Sequence, residues 1–132
     1  MAEKYIYFYY NRSQKKPLYV GQTVDILRRF KQHTYEDRRF CLVDKICFFG
    51  LPESYTKEQV DITEAIFIQQ MNPNWNRTYG HYFRLNDDTM QAITNLMKTV
   101  EESNGWEEFV KNYCETLHMK NGVMKWQMKS LG

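Results

Sequence analysis

The chain has 132 residues and a net charge of +2, a length that accommodates one domain with a modest core and an appendage rather than two ordinary domains. Charge is unevenly spread: residues 1 to 50 carry ten Lys/Arg against five Asp/Glu, a surplus of five, while the rest carries eight against eleven, so the positive half suits a phosphate-rich partner. Three cysteines, Cys41, Cys47 and Cys114, without a Cys-x-x-Cys pair argue against a disulfide framework or zinc knuckle, and no apolar run approaches the roughly 18 residues of a membrane helix.

With no leader-like segment at the start, reduced thiols, a cytoplasmic location and no membrane partner are expected. Residues 5 to 10, Tyr-Ile-Tyr-Phe-Tyr-Tyr, combine aromatic and β-branched side chains and predict a strand. A polar stretch from Asn11 to Lys16 separates them from Pro17-Leu18-Tyr19-Val20, which predicts the second strand of a hairpin with a long loop. Gly21 ends that strand, and Thr23 is placed to cap a helix running to about His33 with Ile26, Leu27 and Phe30 on its buried stripe. Arg29 and His33 are four apart and share a face of it.

Phe40 to Leu51 predicts a third strand, closed by Gly50 and Pro52. Thr56-x-x-Gln59 forms a capping box opening a helix through about Met71, which Asn72-Pro73 ends because a residue before proline avoids helical angles. Asp61, Glu64 and Ile68 are spaced to lie on one side of it. The order β-β-α-β-α implies an α+β fold with a small three-stranded mixed or antiparallel sheet flanked by helices. Beyond Phe83 an acid-rich helical extension is expected. Asp88-x-x-Gln91 caps a helix carrying Met90, Ile93, Met97 and Val100, and Asn104 caps another carrying Phe109, Val110, Tyr113 and Leu117. Met119 to Trp126 carries an Asn-Gly hairpin signal, and the tip holds Lys120, Lys125 and Lys129, suited to phosphates.

Glu64 lies among Ala65-Ile66-Phe67-Ile68, where an unpaired carboxylate costs several kcal/mol unless it reaches water, a cation or a metal. Taken with Tyr5-Ile6-Tyr7, Tyr19-Val20-Gly21-Gln22-Thr23 leading to Arg28-Arg29, and Pro73-x-x-Asn76, it makes the chain resemble the GIY-YIG nuclease domain over about residues 4 to 80. The resemblance implies a nuclease domain over residues 1 to 82, with residues 83 to 132 a C-terminal helical extension packed on it. It implies a metal-dependent endonuclease cutting DNA, double-stranded most of all, with one Mg2+ or Mn2+ held by Glu64.

Carried over by position, Tyr7, Tyr19, Arg29, His33, Glu64 and Asn76 are the implied catalytic residues. Tyr7 would take the proton from the attacking water and Tyr19 orient water and phosphate, with the reversed assignment open. A tyrosine's ordinary pKa of about 10 makes it a poor base, so nearby positive charge from Arg29, Lys15, Lys16 or the metal has to lower it. Arg29 would fork onto phosphate oxygens, His33 relay a proton or hold phosphate, and Asn76 orient Glu64 or its loop. Asp61 is either a supporting acid or solvated surface. Lys15, Lys16, Gln22, Arg28 and Lys31 are the expected nucleic-acid contacts. Tyr5 stands where the family's first motif opens with glycine, and Tyr9 is the substitute for Tyr7 if that strand is shifted. A nuclease-derived module that binds nucleic acid without cutting it is the alternative.

Overall fold

A computed structural model describes residues 4–11, 14–36, 38–76, 87–120 and 123–127, with side chains described outside 34–38 and 119–127. Strands β1 (Lys4–Tyr10), β2 (Tyr19–Thr23), β3 (Lys45–Leu51), β4 (Glu115–Lys120) and β5 (Val123–Gln127) form one sheet in the order β2-β1-β3-β4-β5, every pairing antiparallel. The helices are α1 (Ile26–Glu36), α2 (Lys57–Met71), α3 (Asp87–Glu102) and α4 (Trp106–Tyr113), with a 3-10 segment at Arg38–Leu42.

Alternation along β1 divides the core in two. Tyr7 and Tyr9 pack with Phe30, Phe40, Ile46 and Leu117 on one face of the sheet, against α1. Ile6, Phe8 and Tyr10 pack with Val60, Phe67, Val100 and Phe109 on the other, against α2, α3 and α4. Both faces of this antiparallel sheet are covered, which is why β1 reads as a continuous aromatic and aliphatic run rather than an apolar-polar alternation.

The α+β class holds, but the sheet has five strands, not three. Phe109, Val110, Tyr113 and Leu117 fit a helical spacing, yet the helix stops at Tyr113 and Cys114 turns extended (φ −94°, ψ 144°). Glu115 to Lys120 then pairs with the edge of β3, setting Leu117 opposite Ile46. An unpaired strand edge offers a row of backbone partners that outweighs one more helical turn. The hairpin alternation expected near the C-terminus is present as Met119 opposite Met124 and Lys120 opposite Val123. Its Asn121-Gly122 turn, Lys129 and the expected boundary near residue 82 lie outside the described residues.

Other differences are local. Asp25, not Thr23, caps α1: its carboxylate accepts from Arg28 N–H at 3.1 Å, and Thr23 Oγ1 accepts from Asp25 N–H at 3.1 Å. The inward stripe is Ile26, Arg29, Phe30 and His33, so Leu27 falls off it and is 55% exposed. Residues 38 to 42 form the 3-10 segment instead of strand, with Phe40 and Val43 buried. On α3 Val100 of the expected stripe is buried and Ile93 half-buried, but Thr89 and Ala92 take the inward places with Leu96 half-buried beside them, leaving Met90 and Met97 at the surface. Asn104 (φ 68°) and Gly105 (φ 116°) make a left-handed turn, and Gly105 precedes α4 without a side-chain cap.

The capping box is present at α2, where Gln59 N–H donates to Thr56 Oγ1 at 3.2 Å and Thr56 N–H to Gln59 Oε1 at 2.8 Å. Asn72 ends that helix in the left-handed region (φ 48°). No disulfide joins the three cysteines, and among the described residues no helix is long and apolar enough to cross a membrane.

Candidate active site

Tyr7, Tyr9 and Tyr19 come together because β1 and β2 pair with Tyr7 opposite Gly21 and Tyr9 opposite Tyr19. Their rings lie 5.2 to 6.0 Å apart, centre to centre. Gly21 is what lets the first of them in. A Cβ there would clash with Cζ and the hydroxyl oxygen of Tyr7 and fall 2.9 Å from Tyr19 Cε2, so a residue without a side chain fits beside the pair.

Helix α1 lays Arg29 and His33 over these rings from two successive turns. Arg29 Nε donates to the Tyr7 hydroxyl at 3.3 Å, and the Tyr9 hydroxyl bonds to His33 Nδ1. His33 stands edge-on to Tyr7, Tyr9 and Tyr19. Burial pushes the Tyr9 hydroxyl above its ordinary pKa, so it stays protonated against His33 Nδ1. His33 lies in the last turn of α1 and is held there by the Tyr9 hydroxyl.

Tyr7 differs from what its proposed role requires. It is fully buried, and burial pushes its hydroxyl well above the usual tyrosine range despite the hydrogen bond and charge of Arg29. The guanidinium is in turn raised by that hydrogen bond. Tyr19 is half-buried, the more accessible of the facing pair.

Helix α2 packs alongside β2, mainly with the opposite layer of the core. Asp61 accepts from Gln22 Nε2 at 2.7 Å, and one turn later Glu64 is 5% exposed on the helix's inward side with Val60, Phe67 and Ile68. Beyond the helix, Asn76 Oδ1 accepts from Val20 N–H and Asn76 Nδ2 donates to Val20 C=O, both at 2.8 Å. Trp75 N–H donates to Leu18 C=O at 2.7 Å. Glu64 thus sits on a helix packed in the layer opposite the tyrosines, and β2 lies between them, bonded to α2 through Gln22 and Asp61 and gripped by the segment after that helix. Asn76 uses its amide on this strand's backbone rather than on a turn of its own.

The basic residues part company. Arg28 and Lys31 are exposed on α1. Lys16 Nζ donates to Asn72 C=O at 3.1 Å, at the C-terminal end of α2, where a cation is favoured. Gln22 lies on the sheet face away from Tyr7 and is tied to Asp61 and Lys57, whose ammonium donates to Asp61 Oδ1 at 2.7 Å and Gln22 Oε1 at 3.1 Å. Lys15 lines a different cleft, beside Tyr10 and Lys45. Sequence reading missed Lys57, although its i,i+4 spacing to Asp61 signals the pair. It also gave Tyr9 only the part of a substitute, where its alternation with Tyr7 already put both on one face.

Tyr5 occupies the position of the missing glycine in regular strand backbone, between Thr23 and Gly50, with its ring edge-on to Phe48 at 6.0 Å. Among the described residues only Asn72, Asn104 and Gly105 have positive φ, so nothing at Tyr5 requires glycine's freedom.

An antiparallel sheet that presents paired tyrosines to a helical arginine, with a buried glutamate on the next long helix, defines a small α+β domain of the nuclease class. Residues 3–80 match the family model of the GIY-YIG catalytic domain, more than half of the chain, and the protein belongs to that family of nuclease domains. Neither a curated protein nor a solved structure matches it.

Proposed function

We propose that the protein is a metal-dependent endonuclease hydrolysing DNA, double-stranded in preference, with the cluster on α1 and the first two strands as its reaction centre. The observation that carries this reading is Arg29 donating to Tyr7 with Tyr19 and His33 gathered around them, within a GIY-YIG domain. Arg29 neutralises charge on the phosphate oxygens, and His33, one turn further along α1, holds one of them or relays a proton. Of the two tyrosines Tyr19 is the one open to the attacking water and orients it, because Tyr7 is sealed from solvent and holds its own proton. Tyr7 instead positions Arg29.

Glu64 fits a hard cation. Its carboxylate offers hard oxygen donors, and among the described residues no group of three or more His, Cys, Asp or Glu side chains gathers around a common point. Mg2+ and Mn2+ take oxygen ligands and keep waters and substrate oxygens in their shell. Such an ion supplies a more acidic water and charge neutralisation at the phosphate.

The test is nicking of supercoiled plasmid with Mg2+ or Mn2+, with chelation expected to stop it. Glu64→Gln, which preserves shape in the buried site, should abolish cutting and leave DNA binding intact. Arg29→Ala should slow cutting by about 10²-fold or more. Full activity in either variant overturns the mechanism. Metal-independent binding with no cutting of any substrate would instead favour the non-cleaving module.

A further inference from the structure

On the sheet face opposite Tyr7 and Arg29, a cleft opens between the β1–β2 loop, β3, β4 and α4. Its floor is Tyr10 and Cys47, both buried, with Thr116 Oγ1 3.7 Å from the Cys47 sulfur. Lys45 stands over the Tyr10 ring, its ammonium 4.9 Å from the centroid. Lys15 from the loop, Lys111 from α4 and His118 from β4 complete the lining, with Glu107 the single acid.

We propose that this cleft is a phosphate-binding site separate from the reaction centre. Three lysines against one carboxylate leave a surplus of two positive charges, the complement of a phosphate dianion. The lysines come from three elements distant in sequence. Lys15 and Lys111 are exposed and Lys45 half-buried, and none forms a salt bridge with a carboxylate among the described residues, so their ammonium groups are available to an anion. Lysine meets phosphate as a mobile point charge, and several can share the oxygens of one group. Lys45 is already placed by the aromatic ring beneath it. Burial raises the pKa of the Tyr10 hydroxyl, so the floor remains neutral and adds no competing anion.

The phosphate belongs either to a nucleic-acid strand or to a free phosphate compound, and titrating the full chain separates the two. Pyrophosphate should shift the backbone amide resonances of Lys45, Lys111 and His118, and Lys45→Ala with Lys111→Ala should weaken that binding by about tenfold or more. Arg29→Ala, on the opposite face, should leave it unchanged. A short oligonucleotide that moves the same resonances and is displaced by pyrophosphate assigns the site to a strand, whereas pyrophosphate alone assigns it to a free compound. The exposed Lys111→Glu variant serves if the double variant misfolds, and should weaken pyrophosphate binding as well. No shift at these residues, shifts insensitive to the lysine substitutions, or loss of binding in Arg29→Ala would overturn the proposal.

Discussion

Raising the pH should unfold this protein through its buried tyrosines, by an amount that burial fixes. Tyr7, Tyr9 and Tyr10 are 0%, 2% and 6% exposed, and desolvation is the largest influence on each, raising all three above the ordinary value. A tyrosine in the unfolded chain loses its proton near pH 10 or so, while the folded chain retains it, so above that pH the native state binds more protons than the unfolded state. Stability is then intact below about pH 10 and lost as pH rises beyond it, by about 1.4 kcal/mol per tyrosine per pH unit. Three such groups remove about 4 kcal/mol by about pH 11, a large share of the roughly 5–15 kcal/mol that holds a domain together. Tyrosinate absorbance and circular dichroism followed together should show at least three of the ten tyrosines ionising only as the fold collapses. Tyr10→Phe should lessen the slope of stability against pH by about a third, because one of three linked protons is gone. All ten tyrosines ionising together near the ordinary value in a chain that remains folded would refute the reasoning.

Two further outcomes follow from the same cluster. Gly21→Ala forces a methyl against Tyr7, which is fully buried and has nowhere to go, so it should cost about 1–3 kcal/mol on thermal unfolding; an unchanged melting temperature would show that the ring has room. Asn76→Ala removes both hydrogen bonds to buried Val20 and should cost about 2–4 kcal/mol on urea unfolding, with faster exchange of the Val20 amide; wild-type protection of that amide would show that the edge of β2 is satisfied otherwise.

The β-β-α-β-α core was legible because its cues are local and agree with one another. The aromatic run of β1, the Thr56/Gln59 capping box and the Asn72-Pro73 stop each report on a few neighbouring residues. Arg29 and His33 were legible as a pair because one helix turn separates them. What could not be read was competition at a distance. Leu117 continues a helical stripe as well as it starts a strand, and the edge of β3, some seventy residues upstream in sequence, decides between them. The ionisation of Tyr7 was misjudged for the same reason. The positive charge of Arg29 is apparent from spacing, whereas the desolvation that outweighs it comes from Phe30, Tyr9 and Tyr19 packed around the ring.

Asn76 shows how the two layers of the molecule are made to act together. Tyr19 and Gly21 lie on β2, an outer strand of the sheet, and a strand with one free edge frays easily. Here the free edge is filled: Leu18 C=O takes the Trp75 amide, and both backbone groups of Val20 are held by the Asn76 side chain. The residues that do this follow α2 directly, so the element carrying Glu64 also fixes the strand carrying Tyr19. In the proposed mechanism a carboxylate from one layer and a tyrosine from the other act together, and the Asn76 bonds tie the elements that carry them. Reaction centres need reacting groups held within about half an ångström, and a strand pinned by side-chain hydrogen bonds meets that demand better than a flexible edge.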